Sequence, residues 1–130
     1  MSYAFYIRIN KGGLIDVTGR AAFRIGRTKS KLEPNKIIIE DRTISSIHCT
    51  ILVCNEPTKL QPSFWVWDGD GTTGSKNKTI VNGTRTLNGA SPLESEKGCK
   101  LYHGDYILLG RHEIRFIISK EKSSKKNGTI

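Results

Sequence analysis

The amino-acid sequence predicts an all-β domain, a sandwich or barrel, on three grounds. Runs rich in β-branched and aromatic residues recur at roughly ten-residue spacing, bounded by Gly, Asn or Pro. No stretch carries the 3.6-residue periodicity of an amphipathic helix. The length, 130 residues, suits one domain, and two Trp, four Phe and four Tyr supply a small core although only 36% of the chain is hydrophobic.

The first strand is expected over Tyr3–Asn10, where Phe5, Ile7 and Ile9 alternate with Tyr6, Arg8 and Asn10, and Gly12-Gly13 marks the turn after it. Phe23–Gly26 is a short aromatic–aliphatic run. Lys36–Glu40 carries three consecutive Ile, whose β-branching favours strand over helix. His48–Cys54 follows, and Pro57 and Pro62 bound the next loop. Ser63–Asp68 holds Phe64, Trp65, Val66 and Trp67 and runs into a Gly-rich turn. Thr79–Val81 leads to Asn82-Gly83, a tight-turn dipeptide. Tyr106–Leu109 and Glu113–Ser119 close the series as a hairpin around Gly110-Arg111. No internal repeat is present. The folded domain is expected over 1–119, with Lys120–Ile130, rich in Lys and Ser, as a flexible basic tail or linker.

Charge narrows the choice of partner. Lys and Arg number 21 and Asp and Glu 12, giving +9, so an anionic partner is expected: nucleic acid, an acidic membrane surface or a phosphorylated protein. The tail supplies four Lys against one Glu, or +3, leaving about +6 on the fold. No apolar run approaches the roughly 20 residues of a membrane span, and no signal-peptide pattern opens the chain. Three cysteines without a CxxC pair argue against a disulfide framework or zinc site and fit a reducing interior. Cys49 and Cys54 read as small core hydrophobes.

Two phosphate- or metal-like segments fail on physical grounds. Gly69 to Lys76 resembles a P-loop, but Ser75 separates Gly74 from Lys76 and no helix follows to present its N-terminus. Asp68-Gly69-Asp70-Gly71 begins like a calcium loop, but Thr72 takes the next ligand place and Thr79 stands where a bidentate Glu belongs. His48, His103 and His112 stand singly, and no serine sits in a GxSxG context. Neither an enzyme activity nor a cofactor is expected.

Three loop segments carry the remaining chemistry: Gly26-Arg27, Ser45-Ser46-Ile47-His48, and Ser75-Lys76-Asn77-Lys78-Thr79-Ile80-Val81-Asn82-Gly83. With Gly104-Asp105-Tyr106-Ile107-Leu108-Leu109-Gly110, they resemble in order and spacing the motifs of the forkhead-associated (FHA) domain, over roughly Tyr3 to Ser119. The resemblance implies a β-sandwich of two mostly antiparallel twisted sheets whose end loops bind phosphothreonine. It places Arg27 and Ser45 on the phosphate, with Ser46 and Lys76 assisting, and Asn77 on the peptide backbone. Asn82 and Thr43 would support the loops or touch the peptide, and Gly26 and His48 would be architectural. Independently, a dianionic phosphate calls for such a guanidinium fork and small hydroxyl donors.

The implied partners are phosphothreonine-containing proteins, bound by a monomer inside the cell, in the nucleus. The implied parent is a larger checkpoint, cell-cycle or DNA-repair protein such as a kinase, with this chain at its N-terminus. Membrane is not expected as a partner. The competing reading is a small basic β-barrel that stacks single-stranded nucleic acid on exposed aromatics.

Two departures from the family pattern bear on loop shape: Lys78 stands in place of the usual Gly, and Ser46 in place of an Arg. Strand parity adds a condition. A full strand over Lys36–Glu40 would carry Arg27 to the end opposite Ser45, so the phosphate reading requires that segment to be short.

Overall fold

A computed structural model describes residues 3–28, 35–54, 62–70, 73–91 and 98–120. The described residues form eleven strands: β1 (Tyr3–Ile9), β2 (Leu14–Asp16), β3 (Ala22–Gly26), β4 (Ile37–Ile38), β5 (Cys49–Cys54), β6 (Ser63–Asp68), β7 (Thr79–Val81), β8 (Arg85–Leu87), β9 (Cys99–Leu101), β10 (Tyr106–Leu109) and β11 (His112–Lys120). They make two open sheets, in the order β2-β1-β11-β10-β7-β8 and β4-β3-β5-β6-β9. Every strand pairing is antiparallel except β3 with β4. The two open sheets form a sandwich, not the closed barrel of the competing reading.

Alternation places the core. Phe5 and Ile7 of β1, Phe23 and Ile25 of β3, Phe64 and Val66 of β6, and Ile114 and Phe116 of β11 are all buried. Phe64 sits at the centre, edge-on to Phe5 with centroids 5.3 Å apart and tilted against Phe116 at 4.8 Å. Such pairs add directional preference to the burial of apolar area. Cys49 and Cys99 fill core positions, whereas Cys54, at the end of β5, is only half-buried and is not the core residue that composition suggested.

Three strands escape the sequence reading. β2, β8 and β9 are three residues each, too short for alternation to register; β2 and β9 lie along the longer β1 and β6, and β8 along the equally short β7. The opposite correction applies to Lys36–Glu40, which shrinks to the two residues of β4. β11 runs through Lys120, one residue past the expected limit of the fold. Pro57, Gly71, Thr72 and the tail from 121 onward lie outside the described residues.

Candidate phosphate-binding site

The short β4 decides where Arg27 goes. β4 pairs in parallel with the end of β3, Ile25 opposite Ile37 and Gly26 opposite Ile38, so the chain leaves β4 at the end where it left β3. The Ile39 N–H donates to the Gly26 carbonyl at 2.9 Å, and the Arg27 N–H to the Ser45 carbonyl at 3.0 Å. The parity condition is met.

Gly26 makes this approach possible. A Cβ there would lie 1.9 Å from the Ser46 carbonyl oxygen, so no side chain fits without moving the 39–48 loop. Ser45 then reaches the next loop, its hydroxyl accepting from the Lys76 N–H at 2.8 Å. One Asn77 amide proton goes to the Thr43 carbonyl at 2.9 Å. Arg27, Ser45, Lys76, Asn77 and Thr43 thus meet at one end of the sandwich, and exposed Ser46 follows Ser45 in the same loop. Among the described residues, the Arg27 and Lys76 side chains take no hydrogen-bond or ion-pair partner.

His48 ties the two loops from beneath. The Ser45 N–H donates to its Nδ1 at 3.0 Å, so the ring proton lies on Nε2, which donates to the Lys78 carbonyl at 2.8 Å. Burial lowers the pKa of this ring, opposed by the Lys78 hydrogen bond and the charge of Asp68. The neutral tautomer is the one the geometry requires.

Asn82 lies apart from this cluster. Its N–H donates to the Tyr106 carbonyl at 2.9 Å and its Oδ1 accepts from the Tyr106 N–H at 3.0 Å, clamping the end of β7 to β10. Thr79 begins β7 on the site side, so Asn82 stands one strand-length away.

Two carboxylates that sequence reasoning missed organise the loops. Asp41 accepts from the Thr43 N–H and hydroxyl, each at 2.8 Å, from Arg111 Nε at 2.9 Å and from His112 Nε2 at 2.8 Å. The Thr43 N–H first, then the His112 ring and the Thr43 hydroxyl, hold its carboxyl well below the usual carboxylate range. This fixes Thr43, which in turn holds Asn77. Gly110 packs against Thr43 so closely, at φ 61°, that a Cβ would lie 2.4 Å from the Thr43 hydroxyl. Buried Asp68 accepts from the Ser75 N–H and hydroxyl, the Thr79 hydroxyl and the Gly89 N–H at 2.5–3.1 Å. The short-range Asp-x-Thr spacing hinted at the first hub. The second joins residues far apart in sequence and left no local signal.

The family is decided by sequence, and likeness in shape bears on the fold. The profile of the FHA domain matches residues 23–110, more than half of the chain. The chain belongs to the FHA domain family. Solved structures share the FHA fold. The yeast Pml1 splicing factor is 23% identical, with 92% of this chain and 82% of that chain covered and a TM-score of 0.65. The MEK1 FHA domain, solved with a phosphothreonine peptide of HOP1, is 22% identical over 88% and 95%, with a TM-score of 0.61. The yeast Dun1 FHA domain, solved with a doubly phosphorylated peptide derived from Rad53, is 20% identical over 99% and 82%, also at 0.61. A search of curated proteins gives no match. Among the described residues no group of His, Cys, Asp and Glu is placed to hold a metal ion, and no helix is long and apolar enough to cross a membrane.

Proposed function

We propose that this FHA domain is a non-catalytic module that captures phosphothreonine-bearing segments of partner proteins, and that it acts as a monomer. The single observation that carries this reading is the meeting of Arg27, Ser45, Lys76 and Asn77, from three loops, with their ligand-facing valences unspent. Arg27 offers a planar fork of donors matched to two phosphate oxygens. The Ser45 hydroxyl already accepts from the Lys76 N–H, so its own proton is left for a third oxygen. Ser46 and the Lys76 ammonium, both exposed, add a hydroxyl and a mobile charge. Asn77 spends one amide proton on Thr43 and keeps the other, with Oδ1, for the backbone of the bound peptide. Thr43 holds the Asn77 loop, Asn82 clamps the far end of β7 to β10, and Gly26 and His48 set the spacing.

The finer reading assigns the domain to phosphorylation-dependent signalling in the nucleus, within a larger protein such as a checkpoint kinase. Likeness to a yeast splicing factor and to Dun1 supports a nuclear setting. The test of function is an oriented phosphothreonine peptide library with phosphoserine and unphosphorylated counterparts. Selective retention of phosphothreonine peptides is expected. Equal retention of unphosphorylated peptides overturns the reading.

A further inference from the structure

The outward face of the five-stranded sheet departs from the polar surface that an antiparallel sheet ordinarily turns to water. Register aligns Ala22, Leu52, Trp65 and Lys100 in one row across β3, β5, β6 and β9. The adjacent row holds Arg24, Thr50 and Trp67. Trp65 and Trp67 stack with ring centroids 6.4 Å apart and planes at 28°. Beside them, Leu52 is 36% and Tyr102 39% exposed, and Lys100 Nζ sits 5.3 Å over the Tyr102 ring. Among the described residues neither indole N–H meets an acceptor. A cleft of about 220 Å³, lined by Ala22, Phe23, Arg24, Asn35 and Thr50, opens at the margin of the two rows.

Trp65 and Trp67 are half-buried, and their outward edges join exposed Leu52 and Tyr102 in an apolar stripe; Trp and Tyr are the side chains that anchor protein interfaces. The charges of the two rows are Arg24 and Lys100, and no described residue in them is acidic. Two N–H donors and the Lys100 ammonium beside an apolar stripe are complementary to apolar side chains flanked by carboxylates. We propose that this face docks an acidic, apolar segment of a partner protein, independently of the phosphate site at the end of the sandwich. The segment would lay its apolar side chains on Leu52, Trp65 and Trp67 and its carboxylates beside Lys100. Nucleic acid fits less well. Each indole already covers one face of the other, and two cations neutralise few phosphates.

The test is selection of the full chain against a displayed library of random unphosphorylated peptides, with an oligouridine as the nucleic-acid probe. The expected winners combine Leu, Ile, Phe or Trp with Asp or Glu. Trp65→Ser and Leu52→Lys, each checked for unchanged thermal melting, should weaken them about tenfold or more, and Trp65→Phe should retain part of the affinity. The backbone amides of β5, β6 and β9 should be the ones perturbed in NMR titrations. The proposal is overturned by the absence of enriched peptides, or by binding that survives both substitutions. It is equally overturned if Trp65→Ser abolishes oligouridine binding or self-association of the chain instead.

Discussion

Lys78 holds a left-handed backbone conformation, φ 61°, immediately after Asn77. A Cβ in that region costs about 1–2 kcal/mol, and the surroundings impose it. The Lys78 carbonyl must face His48 Nε2, and the Lys78 ammonium reaches the Ser75 carbonyl at 3.2 Å. Lys78→Gly should therefore raise stability by roughly 0.5–1 kcal/mol, the strain relieved exceeding the added freedom of the unfolded chain. Thermal or denaturant unfolding measures it, and a loss of stability would show that the ammonium contact outweighs the strain. The replacement of glycine by lysine, and its bearing on loop shape, was visible in the sequence. The Asp68 hub was not, and the Asp41 hub only through its Asp-x-Thr spacing, because the fold alone brings Arg111 and His112 to Asp41 and Ser75, Thr79 and Gly89 to Asp68.

At the scale of elements, the site depends on the brevity of β4 and the bareness of Gly26. Gly26→Ala would drive a Cβ into the Ser46 carbonyl, so the 39–48 loop must retreat. Overpacking of this kind costs about 1–3 kcal/mol. Because the displaced loop carries Ser45, peptide affinity should fall along with stability. A variant with unaltered melting would contradict the packing. His48 joins the same elements and must be neutral to accept from the Ser45 N–H. With its pKa lowered by burial, the folded state resists a proton that the unfolded chain takes up near pH 6.5. Stability from this group is thus fully present above about pH 6.5 and lost as pH falls below it, with a slope of at most about 1.4 kcal/mol per pH unit. Asp41 acts only at lower pH, since its depressed carboxyl stays ionised until well below the usual carboxylate range. Denaturant unfolding between pH 7.5 and pH 5 should show the loss in the wild type and a smaller one in His48→Asn.

Element legibility followed length. Six-residue β6 and its Phe64/Val66 alternation could be read directly, and its bounds agree with the sequence reading. Three-residue β2 offers no period to read, and the Ile37–Ile39 run overstated a segment that Asn35 and Asp41 cut short. Asn35 Nδ2 donates to the Ala22 carbonyl, and the Asp41 N–H to the Ile39 carbonyl, in a turn that ends the strand direction.

For the whole molecule, the net charge of +9 sets encounter more than affinity. Deleting residues 121–130 removes three Lys and one Glu while leaving β11 intact. Unfolding free energy should change by less than about 0.5 kcal/mol, whereas association with an acidic phosphopeptide should slow and lose part of its salt dependence. Stopped-flow mixing at two ionic strengths separates these effects. Order and spacing of motifs along 130 residues made the family legible. The gathering of the loops was legible only as a condition on β4, because strand polarity depends on where the chain turns back.

The most direct measurement is calorimetric binding of one phosphothreonine peptide to the wild-type domain and to Arg27→Ala. The remaining hydroxyls and amides cannot replace a bidentate charge, so the substitution should cost about 2–5 kcal/mol with melting unchanged, and the unphosphorylated peptide should bind neither protein. Equal affinity of the two proteins for the phosphopeptide would contradict the account.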